Sequence, residues 1–132
     1  MRNALWPDSL DNHIAEIEEF FAGNAVDIVE TFIVERPDGK LAGFIELNTR
    51  SFADGSRSAH VPYVEAWYTN PDVRGKGVGT SRMEVAERWS LDQGFNGPGS
   101  DAERTNKGEI AAHKTPGFTE VDRAVCLPKK LD

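Results

Sequence analysis

Apolar residues near the start of the chain recur at helical spacing. From Asp11, "DNHIAEIEEFFAG" sets Ile14, Ile17, Phe20 and Phe21 on one face, and Gly23 supplies a stop. The rhythm then changes to that of strands. Ile28 to Glu35 and Leu41 to Leu47 are β-branched or aromatic runs around Pro37, Asp38 and Gly39, which predicts a hairpin. "NTRSFADGSRSAH" is polar and reads as a loop. In "VPYVEAWYTN" a strand is expected, with Val64, Ala66 and Tyr68 on one side and Tyr63, Glu65 and Trp67 on the other. Val78, Arg82, Val85, Ala86 and Trp89 return to helical spacing, up to Gly94. "FNGPGSD" is weak strand material, since Gly97, Pro98 and Gly99 would interrupt a central ladder. Asn106 followed by Glu109 has the form of a capping box and opens a short helix, which Pro116 and Gly117 end. "FTEVDRAVCLPKKL" reads as a last strand, with Pro128 suited to an edge or bulge. The order helix, hairpin, strand, glycine turn, helix, strand, helix, strand predicts one mixed α/β domain over residues 1–132.

Composition narrows the partners. With 132 residues, 39% hydrophobic and 28% charged, the chain suits a single globular core. A net charge of -7 argues against a nucleic-acid footprint and favours cationic small molecules. Cys126 is the lone cysteine, so internal disulfides and cysteine metal clusters are excluded; its place in the last strand predicts a buried packing residue. His13, His60 and His113 lack ligand spacing, so no metal is expected, and His13 is placed on a helix surface. No run approaches the roughly 18 apolar residues of a membrane span, and the N-terminus lacks a signal-like apolar region. A cytoplasmic protein is expected.

One segment asks for more than a turn. In "RGKGVG", residues 74 to 79, every second residue is glycine, and a helix follows at once. The first amides of a helix have no acceptor inside it, and the helix dipole adds about half a positive charge there. Glycines admit a phosphate close to the backbone, while Arg74 and Lys76 bring charge. The Walker A and Rossmann spacings are both absent. A solvated basic helix start with turn glycines explains the same residues.

Arg74, Gly77 and Gly79 match the [Arg/Gln]-x-x-Gly-x-[Gly/Ala] signature, and Asn106 with His113-Lys114-Thr115-Pro116-Gly117-Phe118 lies where a second motif is expected. In these features the chain resembles the acyl-CoA-dependent N-acyltransferases, the GNAT superfamily. "LWPD" near the start, Glu65 to Pro71, Ser100-Asp101 and His113 to Arg123 are similar, more narrowly, to the aminoglycoside 6'-N-acetyltransferases. The resemblance implies a central, mixed but mostly antiparallel sheet with flanking helices, splayed where coenzyme A binds. It implies transfer of acetyl from acetyl-CoA to the 6'-amine of an aminoglycoside by direct attack in a ternary complex, giving antibiotic resistance.

The resemblance also distributes roles. Gly75, Gly77, Val78, Gly79 and Thr80, with Arg74 and Lys76, would hold the pyrophosphate. The backbone of Trp67, Tyr68 and Thr69 would pair with pantetheine, and Asn106 would touch it or a water. Glu65 would orient the amine and take its proton, directly or through water. His113, in the family's tyrosine position, would protonate the leaving thiolate. Asp101 and Trp6 would bind the aminoglycoside, with Glu16 or Glu19 beside them. Each also has a plain structural reading: a cross-strand ion pair for Glu65, an Asx turn for Asp101, helix packing for Trp6, a helix surface for His113 and an N-cap for Asn106.

The family opens with a strand and a full helix, whereas this sequence opens at "MRNALWPD". The resemblance thus implies that the Ile28 arm lacks a neighbour, an open edge that favours a homodimer and weakens the acceptor pocket. Pro116 is expected to shorten the helix carrying His113. Two rivals remain: an acetyltransferase for another amine or a protein N-terminus, and a weakly active acyl-CoA-binding module.

Overall fold

The computed structural model describes residues 1–53 and 60–131, so part of the polar "NTRSFADGSRSAH" segment lies outside the described residues. A short helix α1 (Arg2–Leu5) precedes α2 (Leu10–Phe21). The strands β1 (Glu30–Glu35), β2 (Leu41–Arg50) and β3 (Val61–Thr69) follow, then α3 (Val78–Asp92), the two-residue β4 (Gly99–Ser100) and α4 (Lys107–Lys114). The sheet runs β1-β2-β3-β4, antiparallel except for the parallel β3–β4 pair. Gly39, at φ 82, makes the β1–β2 turn that its neighbours Pro37 and Asp38 predict.

Helix α3 covers one sheet face. Met83 and Ala86 pack on Ile45, Leu47 and Val64, with Phe32, Trp67, Trp89 and Phe118 around them. Helix α1 covers the other face, where Met1 and Leu5 meet Phe44, Ala66 and Tyr68. The side of α3 turned inward carries Arg82, Met83, Ala86 and Ser90, whereas Val85 is exposed. Likewise Ile14, Ile17 and Phe21 on α2 face solvent.

A bulge in β3 changes the expected alternation. Glu46 pairs with Ala66 and the next residue, Leu47, with Val64, so Glu65 is the extra residue. Val64 therefore joins Trp67 on the α3 face, while Ala66 and Tyr68 face α1. Three further expectations are corrected. Residues 118–131 form no strand: β-forming residues without a ladder to join have no partner for their backbone groups. Cys126 is consequently exposed, not packed. His13 is buried, because its Nε2 bonds the Trp6 carbonyl oxygen at 3.0 Å and its ring lies 6.0 Å from the Trp6 ring.

Arg82 is 1% exposed, and its Nη2 donates to Thr69 Oγ1 at 2.5 Å. Its Nε and Nη1 find no partner among the described residues, and burial lowers its pKa. Gly43 makes room for it: a Cβ there would strike the Tyr68 carbonyl oxygen and come within 2.7 Å of Arg82 Nη1. Gly43→Ala is expected to cost about 3 kcal/mol, lowering Tm by roughly 10 °C in a calorimetric scan. A Tm within a degree or so of wild type would mean that this close approach does not exist.

Candidate active site

The bulge places Glu65 on the wall of a cavity of about 510 Å³, between the sheet and the α1–α2 region. Among the described residues five carboxylates line it, from Glu16, Glu19, Asp27, Glu46 and Glu65, against one cation, Arg2. Trp6 forms part of the wall and also packs on His13. Arg2 bonds Glu16 at 2.7 Å and approaches Glu46 at 3.1 Å. Burial nonetheless raises the Glu46 pKa, with Arg2 opposing.

Glu65 is held by residues that the sequence reading left in a loop. Strand β2 continues through Asn48 to Arg50, because these residues keep pairing with β3, at Tyr63, Pro62 and Val61, and the period of two puts Asn48 and Arg50 on the side of Phe44 and Glu46. Asn48 Nδ2 donates to Glu65 Oε1 at 3.1 Å, and Arg50 donates through Nε to Oε1 at 2.7 Å and through Nη2 to Oε2 at 2.5 Å. Arg50 also lies over the Tyr63 ring, 3.6 Å from its centroid, and its Nη1 is 3.9 Å from Asp101 Oδ2. Tyr63 donates its hydroxyl to the same Asp101 oxygen at 2.9 Å. Burial, then that bond, raises the Tyr63 pKa. Among the described residues Asp101 is absent from the cavity wall and is linked to Glu65 through Arg50.

On the other side of Glu65 the sheet opens. Strand β4 pairs with β3 only at Tyr63 and Val64, so the edge from Glu65 to Thr69 has no strand partner on that side among the described residues. The glycine turn lies beyond. Gly75 and Gly77 sit at φ 74 and 79, and a Cβ on either would meet nothing within 4 Å. Gly77 caps α3, whose first internal bond runs from the Ser81 amide to the Gly77 carbonyl, leaving the amides of Val78, Gly79 and Thr80 unused by the helix. Gly79 has another purpose: a Cβ there would come 3.1 Å from Trp67 Cζ2, so its bareness lets α3 rest on that indole. Lys76 is exposed, while Arg74 Nε ties the turn to the Thr69 carbonyl oxygen at 2.9 Å.

Helix α4 is less free than expected. Asn106 Oδ1 accepts from the Glu109 amide at 3.1 Å, an N-cap, and its Nδ2 donates to Glu109 Oε2 at 3.0 Å; the Asn106 amide itself donates to the Glu103 carbonyl oxygen, so the reciprocal backbone bond of a capping box is not made. His113 sits in the last turn of α4, which ends at Lys114 just before Thr115 and Pro116. Its ring meets Trp67 and Phe118 edge-on, with centroids 5.5 Å and 5.3 Å away.

A fork in a sheet, a glycine-capped helix and a carboxylate at the bulge between them suit a nucleotide thioester and an amine. The acetyltransferase (GNAT) family model matches residues 1–118. The chain belongs to the GNAT acetyltransferase family. An aminoglycoside N(6')-acetyltransferase type 1 of Klebsiella aerogenes is 38% identical over 132 residues, 99% of this chain and 87% of the relative. The same-named protein of Stenotrophomonas maltophilia is 32% identical, over 100% of this chain and 84% of the relative. Among solved structures, AAC(6')-Iy in complex with the bisubstrate analogue CoA-S-monomethyl-acetylneamine has a TM-score of 0.87 at 28% identity, covering 99% of this chain and 88% of that one.

The GNAT cofactor, acetyl-CoA, finds a consistent set of groups in this chain. Three unused amides face a turn whose glycines leave open space, and the β3 edge has free backbone groups for the amides of a pantetheine arm. Asn48, Arg50 and Tyr63, which organise Glu65, escaped the sequence reading. The polar run from Asn48 to Arg50 carries no alternation to mark it as strand, and only its pairing with Val61 to Tyr63 shows it.

Proposed function

We propose that this GNAT protein transfers acetyl from acetyl-CoA to the 6'-amino group of aminoglycosides, by direct attack in a ternary complex. The acidic cavity around Glu65 carries the reading: Glu65 on its wall is the first β3 residue past the β4 pairing, and its carboxylates suit a polycationic acceptor. Arg50 shows that the ground between Glu65 and Asp101 accepts a cation. The names of the relatives at 38% and 32% identity support the same acceptor. Acetylation makes the 6'-ammonium a neutral amide, removing a charge from the drug, and resistance follows from that loss.

The chain's residues divide the work. The glycine turn and the first amides of α3 hold the pyrophosphate, and the β3 edge from Trp67 to Thr69 aligns the pantetheine. Acetyl-CoA supplies the activated acyl group. Glu65 retains lone-pair capacity on Oε2: a carboxylate offers about four acceptor positions, and three bonds from Asn48 and Arg50 occupy the rest. An acceptor amine, or a water touching it, donates there. Asp101 binds a second ammonium at the rim.

The homodimer belongs to the same proposal. It is supported by the exposed apolar side chains of α2 and of the tail, Val125 and Leu127 among them, and by the outer edge of β1. Sedimentation at micromolar concentration reads it. Catalysis is tested by CoA release from acetyl-CoA with kanamycin, tobramycin and amikacin, beside spermidine and a peptide amine. Release confined to the aminoglycosides is expected. Release only with another acceptor would replace the substrate, and bound acetyl-CoA with no release at all would leave a binding module.

A further inference from the structure

His113 has no nitrogen free to meet a leaving sulfur. Its Nδ1 lies 2.8 Å from the Glu109 carbonyl oxygen, which only accepts, so Nδ1 carries a hydrogen. Its Nε2 lies 2.8 Å from Ser100 Oγ. Trp67 and Phe118 close its ring edges. Ser100, in contrast, is the last residue of β4, at the fork where β3 and β4 part and beside the bulge that carries Glu65. Its other neighbour is the Val64 carbonyl oxygen at a long 3.5 Å, too weak a partner to fix the hydroxyl proton.

We propose that Ser100 is the catalytic residue that protonates the departing thiolate, with His113 behind it as the source of the proton. The inference rests on the acetyl-transfer reading above. The same heavy-atom geometry serves both states of the imidazole. As imidazolium, His113 donates from Nε2 to Ser100 Oγ, and the hydroxyl hydrogen is released toward the fork. Ser100 gives that hydrogen to sulfur as the C–S bond breaks and its electron pair stays on sulfur, while Ser100 Oγ takes the Nε2 proton. Neutral His113 then accepts from the Ser100 hydroxyl, the arrangement its fixed Nδ1 hydrogen allows. The proton lost by the amine as its nitrogen bonds the acyl carbon passes to Glu65 or water, and His113 is recharged from solvent, so protons balance.

Among the described residues, the charged groups near His113 include Lys114, next to it in the last turn of α4, and Glu103, which acts with Asp101 on Glu109. Glu109 lies one turn earlier on α4, its pKa raised by burial and opposed by His113; Asp101 follows Ser100; Trp67 and Phe118 bring no charge.

Wild type, Ser100→Ala and Ser100→Thr are to be compared with kanamycin as acceptor across roughly pH 5 to 9. In wild type, kcat should fall toward alkaline pH as the imidazolium is lost. Ser100→Ala should lower kcat on the order of 100-fold and abolish that fall, with KM for acetyl-CoA within about twofold; Ser100→Thr, which keeps the hydroxyl, should recover most of both. A second readout needs no turnover: the thiolate absorbance of bound CoA, titrated with pH. Without the Ser100 donor the bound thiol should be harder to ionise, by on the order of one pKa unit. Unchanged kcat and alkaline fall in Ser100→Ala, or an unchanged thiol titration, would overturn the proposal. Absence of CoA release by wild type would instead sink the acetyl-transfer reading.

Discussion

Replacing Gly77 with valine is expected to abolish acetyl-CoA binding while the rest of the domain still folds. Gly77 caps α3 at φ 79, and an L-residue in that left-handed region costs roughly 1–2 kcal/mol, more when β-branched. Relief comes most easily by turning the Gly77 peptide, which misaims the amides of Val78, Gly79 and Thr80. The side chain itself would project into space that no protein atom occupies within 4 Å, where a phosphate must approach. Together these effects should weaken acetyl-CoA by at least about 100-fold, near 2.7 kcal/mol, in a calorimetric titration. Gly77→Asn separates the two causes, because asparagine tolerates the left-handed backbone. If the cradle holds a phosphate, the asparagine variant also loses affinity; if strain alone matters, it keeps it. Near-native affinity in both variants would remove the turn from the cofactor site.

What was legible in the sequence lay in residues whose own conformation is restricted. Gly39 and Gly77 announce positive φ, and Asn106 with Glu109 announces a helix start; the structure shows both devices. The glycine signature led through the family to the fork at β3 and β4. Features set by a distant partner were not legible. No glycine or proline marks the bulge at Glu65, and "YVEAW" is apolar enough to satisfy either alternation, so only the pairing with Glu46 and Leu47 fixes which side chains share a face. Strand propensity in residues 118–131 was misleading for the same reason, since propensity without a ladder does not make a strand. His13 defeats a helix-surface assignment because a polar ring can be buried once a carbonyl accepts from it. Ser100 stood in the sequence as half of a motif, and only the fold brings it to His113.

Glu65→Gln should lower kcat by about 100- to 1,000-fold, with acetyl-CoA affinity unchanged, because the substitution keeps shape and removes the base. Arg50 makes the change more severe than loss of one negative charge. In wild type it donates to both Glu65 oxygens, and a glutamine amide in their place turns an N–H toward one of its own N–H groups. Arg50 then relies on the Tyr63 ring and on Asp101 at 3.9 Å, leaning further over the rim where the acceptor's second ammonium is expected. Aminoglycoside KM should therefore rise along with the fall in kcat. Removing Arg50 as well discriminates between the two contributions. In Glu65→Gln/Arg50→Met, KM should return toward wild type because the rim is cleared, whereas kcat should stay low because the base is still missing. Recovery of kcat in the double variant would show that Glu65 serves mainly to hold Arg50 aside, and an undiminished kcat in Glu65→Gln alone would remove it from proton transfer.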